Sequence, residues 1–212
     1  MTADMERAAY IDRARSLLDG VADRRVILGI TGAPGAGKST FAQWLVQALA
    51  DAGIEVAYVP MDGFHLATTE LVRLCRADRK GAPDTFDVGG YRALLQRVRG
   101  ERADIWAPSF DRTLEEPVAG AVPIAADCRL VVTEGNYLLH DDGGWADIRP
   151  QLDEVWFCLA ADDVRLQRLI ARRVEFGQDP IAADAWARGS DQRNADLVAA
   201  TAARADLIVS VD

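Results

Sequence analysis

The chain has 212 residues, 50% hydrophobic and 27% charged, with a net charge of −9. That length supports one well-buried core rather than two. The acidic balance speaks against a nucleic-acid partner, because no block of Lys and Arg is available to neutralise a phosphate backbone. No apolar run approaches the roughly 18 residues of a membrane span, and residues 2–7 are charged rather than signal-like. Cys75, Cys128 and Cys158 stand far apart, with His65 and His140 as the two histidines. Reduced thiols in a cytoplasmic protein away from membranes are expected, with neither a zinc site nor a disulfide.

Residues 4–18 carry Ala8, Ile11, Ala14, Leu17 and Leu18 at helical spacing, and Gly20 stops the helix. Residues 26–30 read as a buried strand. They run into Gly32, Ala33, Pro34, Gly35, Ala36, Gly37, Lys38, Ser39 and Thr40, which fit the Walker A pattern G-x-x-x-x-G-K-S/T. The glycines let successive backbone N–H groups turn inward on phosphate oxygens. The helix starting near Lys38 adds its partial positive charge to the same anion. Lys38 is placed to neutralise the β- and γ-phosphates, and the Ser39 hydroxyl to help hold Mg²⁺. The stripe Phe41, Leu45, Val46 and Leu49 carries this helix to about Gly53.

A second strand is predicted over 54–59, just before Asp62-Gly63, and helical segments over 68–77 and 90–99. The loop 79–87 between them is rich in turn formers, and 106–123 reads as another long polar connection. Residues 129–133 form a strand ending at Glu134-Gly135, followed by a strand over 154–159 and an Arg-rich helix over 163–176. A largely helical stretch over 182–204 and a closing strand over 207–209 complete the chain. Strands alternating with helices predict an α/β, three-layer P-loop NTPase fold, with a central parallel sheet and helices on both faces in a single domain over 1–212. Ligands of such sheets sit at the carboxyl ends of strands, so the P-loop, Asp62 and Glu134 should face one cleft.

Asp62 is either an Asp-Gly turn former or a carboxylate that orients an acceptor hydroxyl and takes its proton. Glu134 is either a solvated strand-end acid or a Walker B-type metal ligand. The P-loop upstream favours the functional reading of both. Arg165, Arg168 and Arg172 fall within a helical sector of about 60°. They form a solvated basic face or, as favoured here, a lid over about 163–180 that brings guanidinium groups onto a transferring phosphoryl. A GTPase is disfavoured, because no Asn-Lys-x-Asp motif occurs.

In order along the chain, the P-loop is followed by Met61-Asp-Gly-Phe-His-Leu, Lys80-Gly-Ala-Pro-Asp-Thr-Phe-Asp, Pro108-Ser-Phe-Asp-Arg and Thr133-Glu-Gly-Asn-Tyr-Leu-Leu. This set resembles the phosphoribulokinase, uridine kinase and bacterial pantothenate kinase family. It is closest to the small branch labelled nucleoside/nucleotide or fructose-transport-system kinases. The resemblance implies an ATP- and Mg²⁺-dependent kinase acting on a hydroxyl of a small molecule, and a homodimer. It implies Asp62, Lys38, Arg168 and Arg172 as catalytic residues, Arg165 beside the P-loop as a nucleotide contact, and Ser39 and Glu134 at the metal. Leu169 and Arg173 depart from the uridine kinase lid pattern. Acceptor contacts are expected from His65, Lys80, Tyr91, Arg112, Asn136 and Tyr137. Gly81 stands where uridine kinases have a ribose-holding Asp, and Arg112 departs from their base-binding segment. Both departures turn the expectation from a nucleoside toward a pantothenate-like or sugar acceptor such as fructose. The competing expectation is a non-catalytic nucleotide-sensing module that regulates a transport system.

Overall fold

A run of Val, Ile and Leu without a charge belongs in a strand covered on both faces, and β1 (Val26–Gly32) is buried along its whole length. The computed structural model describes residues 3–211; Met1, Thr2 and Asp212, the ends of the domain expected over 1–212, lie outside the described residues. β1 is the centre of a five-stranded sheet of order β2-β5-β1-β6-β7, formed with β2 (Val56–Pro60), β5 (Leu130–Glu134), β6 (Glu154–Leu159) and β7 (Leu207–Ser210). All four pairings are parallel.

The two-residue period of a strand divides the core in two. Val26, Leu28 and Ile30 pack with Ala14 of α1 (Ala3–Ser16) and with Phe41, Leu45 and Leu49 of α2 (Lys38–Asp51). Ile27 faces the other way, toward Tyr91, Leu95 and Val98 of α4 (Val88–Gly100) and toward Trp145. This is the three-layer α/β arrangement expected from the alternation of elements. Among the described residues, no helix is long and apolar enough to cross a membrane.

The connection expected over 106–123 is instead an antiparallel hairpin, β3 (Ile105–Asp111) and β4 (Glu116–Ile124), which forms a separate two-stranded sheet. Pro108, Pro117 and Pro123 argue against strands, because proline cannot donate to a ladder. They are tolerated because a two-stranded ribbon consists of edges, and the register shifts between Ala107 and Ser109. The hairpin packs on the 3₁₀ turn Met61–Phe64 that follows β2. A Cβ at Gly63 would lie 2.4 Å from the Pro108 carbonyl oxygen. The glycine after Asp62 is thus required by close backbone packing, which sets the hairpin beside Asp62.

Two helical expectations also change. Residues 68–77 divide into α3 (Thr68–Arg73) and a 3₁₀ turn at Ala77–Arg79, with Cys75 left-handed at φ 55° between them. Residues 182–204 divide into α6 (Pro180–Trp186), a π-helical turn Ala187–Asp191 and α7 (Gln192–Ala199). The Arg-rich helix is α5 (Asp162–Glu175).

Candidate active site

At the end of β1 the backbone turns at Gly32, whose φ of 147° brings it so close to β6 that a Cβ would stand 2.4 Å from the Cys158 carbonyl oxygen. Only glycine fits there. The loop then closes onto the N-terminus of α2, whose first N–H groups are available to an anion. Lys38 is 6% exposed and its Nζ donates to the Ala33 carbonyl at 3.0 Å. Burial lowers its pKa, and the neighbouring Glu134 charge opposes that shift. The Ser39 hydroxyl donates to Glu134 Oε2 at 3.1 Å, and the Tyr58 hydroxyl reaches the same oxygen at 3.0 Å. Glu134 is buried at the end of β5, and desolvation raises its pKa against the pull of Lys38.

Asp62 lies in the 3₁₀ turn after β2, with Oδ2 3.4 Å from Arg112 Nη2 at the end of the hairpin's first strand. His65 Nδ1 is 2.8 Å from the Asp62 carbonyl. A carbonyl only accepts, so the proton of a neutral imidazole sits on Nδ1. The ring lies 4.1 Å from Phe86 and 4.8 Å from Phe110, centroid to centroid, and burial lowers its pKa. Between the P-loop and this turn opens a cavity of ≈ 580 Å³, lined by Lys38, Ser39, Asp62, His65, Glu134 and Asn136 among others. Three strand ends meet in it, as the topology requires.

The first 2–68 residues match the profile of the methylmalonyl-CoA mutase-associated GTPase MeaB, a match that covers the P-loop and its flanks. The Escherichia coli protein YggC, uncharacterized, is 33% identical over 190 residues, which cover 89% of this chain and 78% of that protein. A provisionally named uridine kinase of Schizosaccharomyces pombe is 34% identical over 58% of this chain and 56% of its own length. The crystal structure of a protein from a Silicibacter species, provisionally named a fructose transport system kinase, superposes with a TM-score of 0.89. It is 35% identical, covering 99% of each chain. The chain belongs to the P-loop kinases. Its relatives include uridine kinase-like and pantothenate kinase proteins, and ATP binding follows from the family.

In this kinase the three α5 arginines expected to form the lid do three different things. Arg165 is 2% exposed and donates to the Pro34 carbonyl at 2.9 Å. Its other donors reach Asp162 Oδ1 at 2.7 Å and Gln192 Oε1 at 3.0 Å. It braces the P-loop through the backbone, rather than offering its guanidinium to a nucleotide as expected. Arg168 donates to the Val211 carbonyl at 3.3 Å, passes beside the P-loop at Gly37, where an added Cβ would stand 3.4 Å from its Nη1, and does not line the cavity. The 100° helical step carries it past the cleft. Arg172 lines the cavity, with Arg173 beside it. The enclosing walls, with the nearby Arg112 charge adding, draw the Arg172 pKa down.

Two expected acceptor contacts are structural. Tyr91 is fully buried in the α4 layer, its hydroxyl 2.6 Å from Thr133 Oγ1. Tyr137 is equally buried and donates to the Gly81 carbonyl at 2.6 Å, which Asn194 also reaches at 3.3 Å. Tyr137 thereby holds the loop that carries Lys80. The Lys80 ammonium lines the cavity, donates to Thr68 Oγ1 at 3.3 Å and to the Glu115 carbonyl, and lies 5.2 Å from the Phe110 ring centroid. Asn136 lines the cavity, and its carbonyl is fixed by Thr31 Oγ1 at 3.1 Å.

The sequence reading missed a whole wall. Trp186, Asp191 and Asn194, from the α6–α7 turn, line the cavity together with Phe176 and Gln178 beyond α5. Asp191 is 7% exposed and pairs with Arg173 at 3.3 Å, while burial raises its pKa. The one available signal was Gly189-Ser190 inside an otherwise helical stretch, which coincides with the π turn. Tyr58 was missed as well, because a tyrosine in an apolar strand reads as core.

Proposed function

We propose that this kinase transfers the γ-phosphoryl group of ATP to a hydroxyl of a small metabolite. Asp62 accepts the hydroxyl proton, the acceptor oxygen forms a bond to Pγ, and the bridging bond to the β-phosphate breaks to leave ADP. Lys38 and Arg172 neutralise charge on the transferring group. The convergence of Lys38, Ser39, Glu134 and Asp62 on one cavity carries this reading.

Ser39 and Glu134 present a hydroxyl and a carboxylate oxygen 3.1 Å apart. Among the described residues, no cluster of three His, Cys, Asp or Glu could cage a metal. That donor set fits Mg²⁺, which is held by one or two protein oxygens with phosphates and water supplying the rest. When bound, the ion would screen the phosphate oxygens and lower the energy of the leaving group.

The acceptor classes that the site motifs favour are a pantothenate-like acid or a sugar, with a nucleoside third. ADP release from ATP tests the reading with pantothenate, fructose and other sugars, and nucleosides offered in turn. Stimulation by one acceptor is the expected result. ATP binding without turnover across the panel would overturn the kinase mechanism and leave a nucleotide-sensing regulatory module.

A further inference from the structure

The charges of the cavity are unevenly partnered. Arg173 has Asp191 at 3.3 Å and lies 5.0 Å from the Trp186 ring. Lys80 stands 3.8 Å from Glu115 Oε2, and Lys38 has the Glu134 charge close by. Those acids are matched by their own cations. Arg112 and Arg172 remain on the same cavity lining, with Asp62 in contact with Arg112 and the charges of Asp62 and Asp191 both acting on Arg172. Arg112 reaches Asp62 through one contact at 3.4 Å, at the long end of hydrogen bonding. Arg172 makes no side-chain hydrogen bond or ion pair among the described residues.

Two guanidinium groups lining one cavity leave positive charge there that Asp62, with a proton to accept, does not balance alone. A planar guanidinium fork is matched by carboxylate or phosphate oxygens far better than by a neutral hydroxyl. Resting on the kinase reading above, we propose that the phosphate acceptor is itself an anion: an alcohol bearing a carboxylate or phosphate group that Arg112 binds. Taking that group draws Arg112 from Asp62 and leaves Asp62 free for the hydroxyl. A neutral sugar or nucleoside leaves the Arg112–Asp62 pair closed and the base engaged. Arg112 therefore selects the substrate and, through Asp62, couples binding to readiness for transfer.

Matched acceptors differing in one charge test this: glycerate against glycerol, pantothenate against panthenol, fructose 6-phosphate against fructose, and uridine monophosphate against uridine. The carboxylate and phosphate pairs separate the two sources of negative charge. ADP release should occur with a charged member, at a kcat/KM about 100-fold or more above its neutral twin. Arg112→Gln should erase most of that preference, Arg112→Lys should restore part of it, and the KM of the charged acceptor should rise with salt. The charged acceptor should also raise the melting temperature of the unsubstituted protein but not that of Arg112→Gln. The variant's own melting temperature reports that it has folded. Turnover of a neutral member as good as or better than its charged twin, or an equal loss on both twins in Arg112→Gln, overturns the inference and leaves the kinase standing. Turnover of no member at all brings down the kinase reading, and this inference with it.

Discussion

At the phosphate end of the cavity, the groups placed to meet a ligand are backbone amides and two neighbouring side chains, Lys38 and Ser39. One loop–helix junction carries them all, and a strand buried along its whole length sets its position. At the acceptor end, the groups are side chains from segments distant in the chain: the turn after β2, the loop at Lys80, the hairpin, the end of α5 and the α6–α7 turn. The first end is built from local geometry and admits few alternatives. The second depends on how five segments pack, and each can change its side chains without disturbing the sheet. One fold can therefore keep a single phosphate donor while accepting many alcohols.

The largest effect expected from breaking this division is at its seam, where Asp62 faces both ends. Asp62→Asn keeps the size and loses the proton acceptor. It should lower kcat by roughly 10²- to 10⁴-fold while ATP affinity, measured by titration calorimetry, stays within about threefold, because the nucleotide contacts lie on the P-loop. Retained turnover would remove Asp62 from the chemistry. A loss of ATP affinity as large as the loss of rate would move it to the phosphate end.

The next effect divides α5 itself. Arg165→Met removes the donors that hold the Pro34 carbonyl, Asp162 and Gln192, and leaves a buried carbonyl short of a partner. A loss of about 2–3 kcal/mol in unfolding free energy is expected, together with weaker ATP binding as the loop loosens. Arg168→Ala removes exposed contacts to the Val211 carbonyl and should stay within about 0.5 kcal/mol, with kinetics unchanged. Denaturant unfolding of the two variants decides it. Equal stability losses would mean that the P-loop needs no brace, and a rate loss in Arg168→Ala would return that residue to the lid.

These results bear on how far the site can be read from sequence. The P-loop, the strand ends at Asp62 and Glu134 and the parallel sheet were all legible, because each follows from local patterning: an apolar run, a glycine-rich turn, an acid at a strand end. The hairpin was not, because its prolines oppose strand formation locally and only its packing on Gly63 explains why it forms. The wall at Trp186, Asp191 and Asn194 was not either, since helical periodicity does not reveal a π turn that rotates side chains into a cleft. The arginines of α5 show the limit of periodicity most clearly. A shared sector of a helix predicted a shared role, but a sector wide enough to hold three side chains spans the P-loop backbone, the end of the chain's last strand and the cavity.

The smallest effect is expected from Tyr91, where a motif residue falls on the core side of the boundary. Its ring packs between Phe64, at 5.0 Å, and Trp145, at 6.3 Å between centroids. Thr133 Oγ1 donates to the Val59 carbonyl at 2.8 Å, so the 2.6 Å contact between the two hydroxyls has Tyr91 as donor. Tyr91→Phe deletes that donor, but Thr133 keeps its own bond to Val59, so no buried donor is stranded. A destabilisation of about 1 kcal/mol follows, with kcat and KM for every acceptor unchanged. A raised KM for one acceptor, at unaltered stability, would show that the cavity opens further toward α4 when substrate binds. Tyr91 would then belong to the acceptor end, and the boundary between core and site would lie one layer deeper than the sheet's own packing places it.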